Sequence, residues 1–163
     1  PITLPAAGCN LTPPSAGAKT LTATYLGDGN FLGSASTGVG HTVIAATLDV
    51  DASITGTAYD ALTDGMLVVR YLSGATGSAL TTGALGSTAT RTDPNAIKAY
   101  LDAIRPALDI DGNGTVEALT DGLLVMRYLF GLRGASLIAG AFDPLGTRTT
   151  AAAIEAYLQT LLP

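Results

Sequence analysis

The sequence predicts a mainly α-helical fold with a small antiparallel β segment at its N-terminal end. Residues 1–46 alternate small polar with apolar residues, are rich in Thr and show no helical periodicity, which is the pattern of short strands. Residues 47–163 show helical periodicity, and residues 64–106 shifted by 57 positions match 121–163 at 21 of 43 places without a gap. A duplication of this length indicates two copies of one supersecondary unit that share a core.

These patterns divide the chain into a β domain, residues 1–46, and a duplicated helical module, residues 47–163. The two repeats of the module span 47–106 and 107–163. A chain of 163 residues suits two small domains of this kind, and its hydrophobic content of 47 % is enough to build a core.

The β domain is predicted to contain strands at residues 19–25 and 38–45, with a turn at 27–30 marked by Gly-Asp-Gly-Asn. Its segments TLTATYLGD, NF, GS and HTV resemble the C-terminal part of bacterial immunoglobulin-like repeats. The resemblance implies a partial sandwich, because a whole one needs about seven strands and ~100 residues. We expect the other strands to come from a preceding segment or from another chain. Cys9 is then either a small buried residue or half of a disulfide with a preceding segment.

Each repeat is predicted to contain two helices. The first begins near Thr63 or Thr120 as its N-cap, and Gly74 or Gly131 stands where a helix commonly ends. Three apolar residues spaced by three predict its buried face: Met66, Val69 and Leu72. The second helix of the first repeat opens at Asp93, an N-cap followed by proline. Its buried stripe has equivalent members in both repeats: Ile97, Tyr100, Leu101 and Ile104, then Ile154, Tyr157, Leu158 and Leu161.

The acidic residues are clustered, whereas the basic ones are scattered. Eight of the 13 carboxylates fall in two windows: Asp49, Asp51, Asp60, Asp64, Asp109, Asp111, Glu117 and Asp121. Like charges this close repel each other unless a cation lies among them. The net charge of −5 and the scattered basic residues argue against a nucleic-acid partner. No segment approaches the ~20 apolar residues of a membrane span.

The window from Asp109 to Asp121 reads DIDGNGTVEALTD and predicts a calcium loop. Calcium takes six to eight oxygens at ~2.3–2.6 Å from a short flexible loop. Asp109, Asp111 and Asn113 supply side-chain oxygens, and the following glycine allows a sharp turn. Thr115 supplies its backbone carbonyl oxygen. Magnesium fits less well, because it demands a tighter octahedron and keeps its waters.

The last acid of this loop departs from the EF-hand pattern, which has a bidentate acid at the twelfth position. Thr120 stands there, and Asp121 follows one residue later. Either the loop is longer by one residue, or Glu117 bulges outward or binds the ion. We favour Asp121 as the final ligand, because Asp64 holds the equivalent place in the first repeat, and we keep Glu117 as a further candidate.

The first repeat carries a stretched copy of the loop. Asp49 and Asp51 are in place and Ser53 offers the oxygen of the fifth position. Three residues are inserted before Asp64, and Asp60 aligns with the glutamate of the second loop. We therefore predict two calcium ions, one for each repeat. An ordinary capped turn with solvated acids is the alternative, but it accounts poorly for two aligned loops.

The tandem loop-and-helix arrangement resembles the dockerin modules of bacterial extracellular proteins. The resemblance lies in Asp109 to Asp121 with the following Leu123-Leu124 and Arg127-Tyr128-Leu129, and in the weaker first copy. It implies two calcium loops that each precede a helix; the faces of dockerins bind a cohesin partner. The repeat here is 57–60 residues, more than twice the dockerin length, so the chain is a dockerin-like relative and cohesin binding does not follow.

The other polar residues predict structure rather than chemistry. Four arginines recur at matching places: Arg70, Arg91, Arg127 and Arg148. Each is expected to pair with an acid or to cap carbonyl groups, with a role on a binding face as the alternative. His41 is the one histidine of the chain and has no Cys or second His near it in the sequence, so we predict no catalytic site.

Together these features predict a non-catalytic, calcium-binding module of a secreted or cell-surface bacterial protein. Its role is structural or adhesive, and its partner is another protein or a copy of itself. One alternative is a subunit of an extracellular filament, in which the incomplete β domain completes a neighbour's sheet. Another is an accessory module of a polysaccharide-degrading enzyme whose catalytic and polysaccharide-associated parts lie upstream.

Overall fold

The computed structural model describes residues 17–53 and 59–163, and the fold of these residues is mixed α and β. The chain divides into two compact units, one that ends at Ala45 and one from Ala46 to Pro163. Within the described residues the strands lie in the first unit and the helices in the second, so the mainly α prediction holds for the second unit alone. No helix in these two ranges is long and apolar enough to cross a membrane.

The described residues of the first unit, 17–45, form two antiparallel strand pairs. Its strands are β1 (Gly17–Leu21), β2 (Thr24–Tyr25), β3 (Ser34–Ala35) and β4 (Val39–Val43). β1 pairs with β4 and β2 pairs with β3, so the strand predicted at residues 19–25 is interrupted after Leu21. The predicted turn is confirmed, because the Asp28 carboxylate accepts hydrogen bonds from the backbone N–H groups of Asn30 and Phe31 at 2.8 and 2.9 Å.

In the residues that the structure describes, the second unit has three helices in each repeat. They are α1 (Met66–Leu72), α2 (Ser78–Thr81), α3 (Pro94–Ile104), α4 (Leu123–Leu129), α5 (Ala135–Ile138) and α6 (Ala151–Thr160). A π-helical turn leads into α1 at Ala61–Gly65 and into α4 at Ala118–Gly122, and a 3₁₀ turn follows α3 at Arg105–Leu108. The sequence predicted the first and third helix of each repeat, whereas the one-turn helices α2 and α5 are additional.

The predicted start of the first helix at Thr63 or Thr120 is wrong. The helical backbone begins earlier, in the wide turn closed by Gly65 N–H on the Asp60 carbonyl at 3.1 Å and by the equivalent bond from Gly122 at 3.0 Å. Asp60 is the N-cap in the first repeat, since its carboxylate accepts a hydrogen bond from Leu62 N–H at 2.7 Å. A π-helical turn holds one residue more than an α-helical turn, and that residue shifts the register of the helix that follows.

The predicted apolar face of α1 lies at the edge of the core. Three other residues of this helix are fully part of the core: Leu67, Val68 and Tyr71. Met66, Val69 and Leu72 are half-buried, and Met66 and Leu72 pack against the core. Val69 and Leu72 also pack on Gly122, where an added Cβ would lie 3.4 Å from both side chains. Gly65 meets Met126 in the same way at 3.1 Å. Glycine at these two places lets α1 and α4 approach closely.

The third helix of each repeat follows the prediction. Asp93 caps α3 by accepting hydrogen bonds from Asn95 and Ala96 N–H at 3.0 and 2.9 Å. The predicted stripe is buried in both repeats, except that Tyr157 is half-buried. Core side chains from the two repeats form one cluster, and Leu48 N–H donates to the Leu161 carbonyl at 2.7 Å. The duplicated module therefore folds around a single core, with its first and last segments joined.

Candidate metal centres

Two groups of three aspartates are brought together by the fold. One group is Asp49, Asp51 and Asp64, and the other is Asp109, Asp111 and Asp121. Within each group the ligand oxygens all lie within 4.8 Å of one another. Two oxygens on opposite sides of one calcium ion are separated by about 4.8 Å, because each bond is ~2.4 Å. Each group therefore fits around a single cation.

Backbone N–H groups of the loop orient Asp109 and Asp111 in the second repeat and Asp49 in the first. In the second loop, Asp109 Oδ1 accepts hydrogen bonds from Gly112 and Asn113 N–H at 2.8 and 3.1 Å. Asp111 Oδ1 accepts one from Asn113 N–H at 3.1 Å. In the first loop, Asp49 Oδ1 accepts one from Ser53 N–H at 3.0 Å. These turns point the carboxylates into the loop.

The third acid of each group reaches back from the π-helical turn. Asp121 Oδ1 accepts a hydrogen bond from Ile110 N–H at 2.6 Å, and its Oδ2 accepts one from Glu117 N–H at 2.9 Å. Asp64 makes the same pair of bonds with Val50 and Asp60 N–H, at 2.7 and 2.8 Å. In the second loop, the extra residue of the wide turn thus returns Asp121, at the thirteenth position, to the loop.

Asp60 and Glu117 stand apart from the two groups. Both side chains are exposed, and each residue contributes its backbone N–H to the buried aspartate instead. Glu117 therefore lies outside the group of three carboxylates, and Asp121 takes the final place in it. The Asp60 carboxylate is occupied as the cap of the π-helical turn.

The remaining predicted ligands lie beside the aspartates in hydrogen bonds of their own. Asn113 Oδ1 accepts hydrogen bonds from Thr115 N–H and Oγ1 at 2.7 and 2.8 Å, and Thr115 is exposed. Ser53 Oγ donates to Asp51 Oδ1 at 2.5 Å. Val116, the residue after Thr115 in the second loop, is partly buried and packs against the core.

The six aspartates carry negative charge with little compensation. Four of them, Asp51, Asp64, Asp111 and Asp121, are no more than 1 % exposed. In the described part of the chain none of the six forms an ion pair with a Lys or Arg side chain. Burial raises the pKa of Asp64 and of Asp121, although hydrogen bonds from backbone N–H groups oppose the shift. A cation among these oxygens would offset the cost of burying them, and an all-oxygen donor set suits a hard divalent cation.

Each loop is also held from outside, by contacts with distant residues that the sequence patterns did not reveal. Gly86 N–H donates to Asp51 Oδ2 and Asp143 N–H donates to Asp111 Oδ2, both at 2.7 Å. The side chains of Arg91 and Arg148 reach the carbonyl groups of the loops. The recurrence of Thr-Arg-Thr at 90–92 and 147–149 was the available signal, and carbonyl capping, one of the two expected roles of these arginines, is confirmed.

Comparison with known proteins identifies no relative. No protein-family model, no curated protein and no solved structure matches this chain. The resemblances to dockerin modules and to immunoglobulin-like repeats therefore stay predictions from the sequence. Function is therefore inferred from the two aspartate groups and their surroundings.

Proposed function

We propose that the second unit is a non-catalytic module that binds two calcium ions and is stabilised by them. The observation that supports this most strongly is the repetition of one arrangement. Both repeats place three carboxylates within 4.8 Å and bury two of them, and one of the two buried residues, Asp64 or Asp121, lies in a π-helical turn. A single acidic group can occur without an ion, but the same group built twice on a repeated backbone indicates a shared ligand.

The donor set favours calcium over magnesium. Calcium accepts irregular sets of six to eight carboxylate, amide and carbonyl oxygens, whereas magnesium requires a near-ideal octahedron and keeps several waters. The aspartate groups are largely buried, and the neighbouring amide and hydroxyl oxygens of Asn113 and Ser53 extend each set. A loop that wraps an ion in this way suits the larger and less demanding cation.

The setting that fits such a module is the outside of a cell. Extracellular calcium modules bind with dissociation constants of about 10⁻⁴–10⁻³ M, and millimolar calcium fills them. Binding to the folded state then adds to the free energy of unfolding. We propose accordingly that calcium keeps the module folded where the protein works, and that the module serves attachment to another protein or to a copy of itself.

Thermal unfolding with calcium or with a chelator tests the calcium sites. A ligand at 100 times its dissociation constant stabilises by about 2.7 kcal/mol per site. We expect a clearly higher Tm in 10 mM calcium than in excess chelator, a smaller effect of magnesium, and two ions bound per chain by isothermal titration calorimetry. Asp51→Asn and Asp111→Asn should each remove one ion. Asp102→Asn, on the exposed face of α3, is the matched control and should keep both. An unchanged Tm in chelator contradicts the proposal.

A second candidate function, a filament subunit, is favoured by the surface of the first unit. No residue between Gly17 and Ala45 is buried, although this segment carries large apolar side chains. Leu21 is 41 % exposed and Val39, its partner in the β1–β4 ladder, is 63 % exposed. Isolated strand pairs are marginally stable in water and their free edges recruit further strands. We propose that a second copy of the chain packs on these strands.

A further inference from the structure

The third helix and the segment before it hold the start of each calcium loop through its carbonyl groups. In the second repeat, donors from residues 147–157 bond to five carbonyls at the start of the loop: those of Ala107, Asp109, Ile110, Asp111 and Gly112. The Arg148 guanidinium supplies two of these bonds, to Asp109 and to Ile110, the latter from Nε at 2.6 Å. Its backbone N–H donates to the Asp111 carbonyl at 2.8 Å.

An aromatic ring keeps this guanidinium in place. The Cζ atom of Arg148 lies 3.9 Å from the centre of the Tyr157 ring, and the Tyr157 hydroxyl donates to the Ala107 carbonyl at 2.9 Å. Stacking on a tyrosine restricts the arginine side chain and leaves its donors free to point at the loop. We call Arg148 and Tyr157 together the second clamp.

The first repeat contains the same device. The Arg91 guanidinium donates to the carbonyls of Asp49 and Val50 and lies 3.9 Å from the centre of the Tyr100 ring. The Tyr100 hydroxyl donates to the Thr47 carbonyl at 2.8 Å. We call Arg91 and Tyr100 the first clamp. The first loop has three extra residues, but they come later in the sequence than Asp49 and Val50, which the first clamp contacts.

The clamp acts on the residues that carry the carboxylates. Asp109 and Asp111 each have their carbonyl oxygen bonded to Arg148, through its side chain and its backbone respectively. A peptide group that is fixed on its carbonyl side fixes the direction in which the neighbouring side chain leaves the backbone. The planar guanidinium, with several donors in a rigid fork, holds two successive carbonyls in a way that a lysine ammonium does not.

We propose that Arg91 and Arg148 are positioning residues that set the calcium affinity of their own loops. The inference rests on the proposed function, since it assumes that the aspartate groups bind calcium. Each arginine would orient two of the three carboxylates before the ion arrives and would couple ion binding to α3 or α6. Partners that orient metal ligands typically change affinity by 10–100-fold when mutated.

Calorimetric titration of the whole chain with calcium chloride tests the proposal. We expect Arg148→Lys to weaken one of the two sites by about 10-fold or more and to leave the other unchanged. Arg91→Lys should weaken the other site. Arg127→Lys is the matched control, because Arg127 likewise donates to two carbonyls, those of Leu137 and Ala139 at 2.9 Å, but away from the loop. It should lower the Tm while both affinities stay the same.

The outcomes separate this inference from the proposed function. A wild-type chain that binds no calcium contradicts the proposed function itself. Wild-type binding of two ions together with unchanged affinities in Arg148→Lys and Arg91→Lys overturns the clamps alone. Equal weakening of both sites by Arg148→Lys and Arg127→Lys also overturns them, because it indicates a general loss of stability. Tyr157→Phe, which keeps the ring and loses the bond to Ala107, provides a milder variant and should weaken the second site by less than Arg148→Lys does.

Discussion

At the scale of single residues, the two loops place different residue types in the same backbone conformation. Ala52 has a φ of +54° and the equivalent Gly112 has a φ of +74°, both in the left-handed region. A side chain in this region costs roughly 1–2 kcal/mol, whereas glycine enters it freely. The first loop therefore carries a local strain that the second avoids. At Gly112 an added Cβ would lie 2.1 Å from Thr147 Oγ1, so the second loop cannot accept alanine without movement.

We predict opposite effects for exchanging these two residues. Ala52→Gly should raise the free energy of unfolding by about 0.5–1 kcal/mol, because relief of the left-handed strain exceeds the 0.5–1 kcal/mol of added freedom in the unfolded chain. Gly112→Ala should lower it by about 2 kcal/mol or more, since strain and steric overlap add. Denaturant unfolding in chelator measures both, without a contribution from calcium. A destabilising Ala52→Gly would contradict the left-handed conformation.

At the scale of elements, the sequence predicts what depends on local pattern and misses what depends on distant contacts. The stripe from Ile97 to Ile104 was predicted correctly because α3 is long enough to show its period. The fully buried face of α1 was not predicted, because the π-helical turn before this helix shifts its register. That turn contains Asp64, whose carboxylate accepts a hydrogen bond from Val50 N–H. The one-turn helices are too short to show a period.

The candidate site divides in the same way. The three aspartates of each group were predicted because clustered charge and spacing are visible in the sequence. Carbonyl capping was an expected role of Arg148, but the carbonyls that it reaches were not predicted, because its bond to the Asp109 carbonyl joins residues 39 positions apart. Glu117 was kept as a candidate because only the three-dimensional turn distinguishes its exposed side chain from that of Asp121.

A side-chain hydrogen bond joins the first and third helices of each repeat, and its acceptor is charged in the first repeat and neutral in the second. This difference predicts that the contribution of the first bond to stability depends on pH. The Tyr71 hydroxyl donates to Asp102 at 2.8 Å, whereas in the second repeat Tyr128 contacts Gln159 at 3.0 Å. The hydrogen bonds from Lys98 and then from Tyr71 lower the pKa of Asp102. A carboxyl whose pKa is lower in the folded state stabilises the fold above its unfolded pKa of about 3.9 and loses that contribution as the pH falls.

We therefore expect Asp102→Asn to lower the Tm at pH 7 and to differ less from the wild type as the pH falls and Asp102 becomes protonated. Tm values of the two proteins between pH 7 and pH 2, recorded in chelator, measure the difference at each pH. The aspartate groups are present in both proteins, so their contributions cancel in this comparison. Tyr128→Phe, which removes the neutral hydrogen bond to Gln159, is the control and should lower the Tm equally at all pH values. A Tm difference for Asp102→Asn that does not change with pH would contradict a stabilising role for the charged Asp102 carboxylate.

At the scale of the whole molecule, the two units differ in how they bury apolar side chains. The second unit encloses one core built from both repeats and joins its first and last segments through Leu48 and Leu161. The first unit buries no residue from Gly17 onward and lines a shallow groove with Leu21, Ala23 and Val39. Burial of such side chains contributes about 25 cal/mol per Å² of apolar surface, so association would add to the stability of these strands.

We predict that the chain associates through the first unit. Light scattering over a range of concentrations should give a mass that rises above 16.3 kDa, the mass of one chain. Val39→Lys should keep the protein monomeric, because a lysine on β4 places a charge where a neighbouring strand would pack. Leu145→Lys replaces a side chain that is 89 % exposed in the second unit and is the matched control, which should associate as the wild type does. A wild type that stays monomeric at the highest concentration contradicts the filament hypothesis, while the calcium response of the second unit would stand independently of that result.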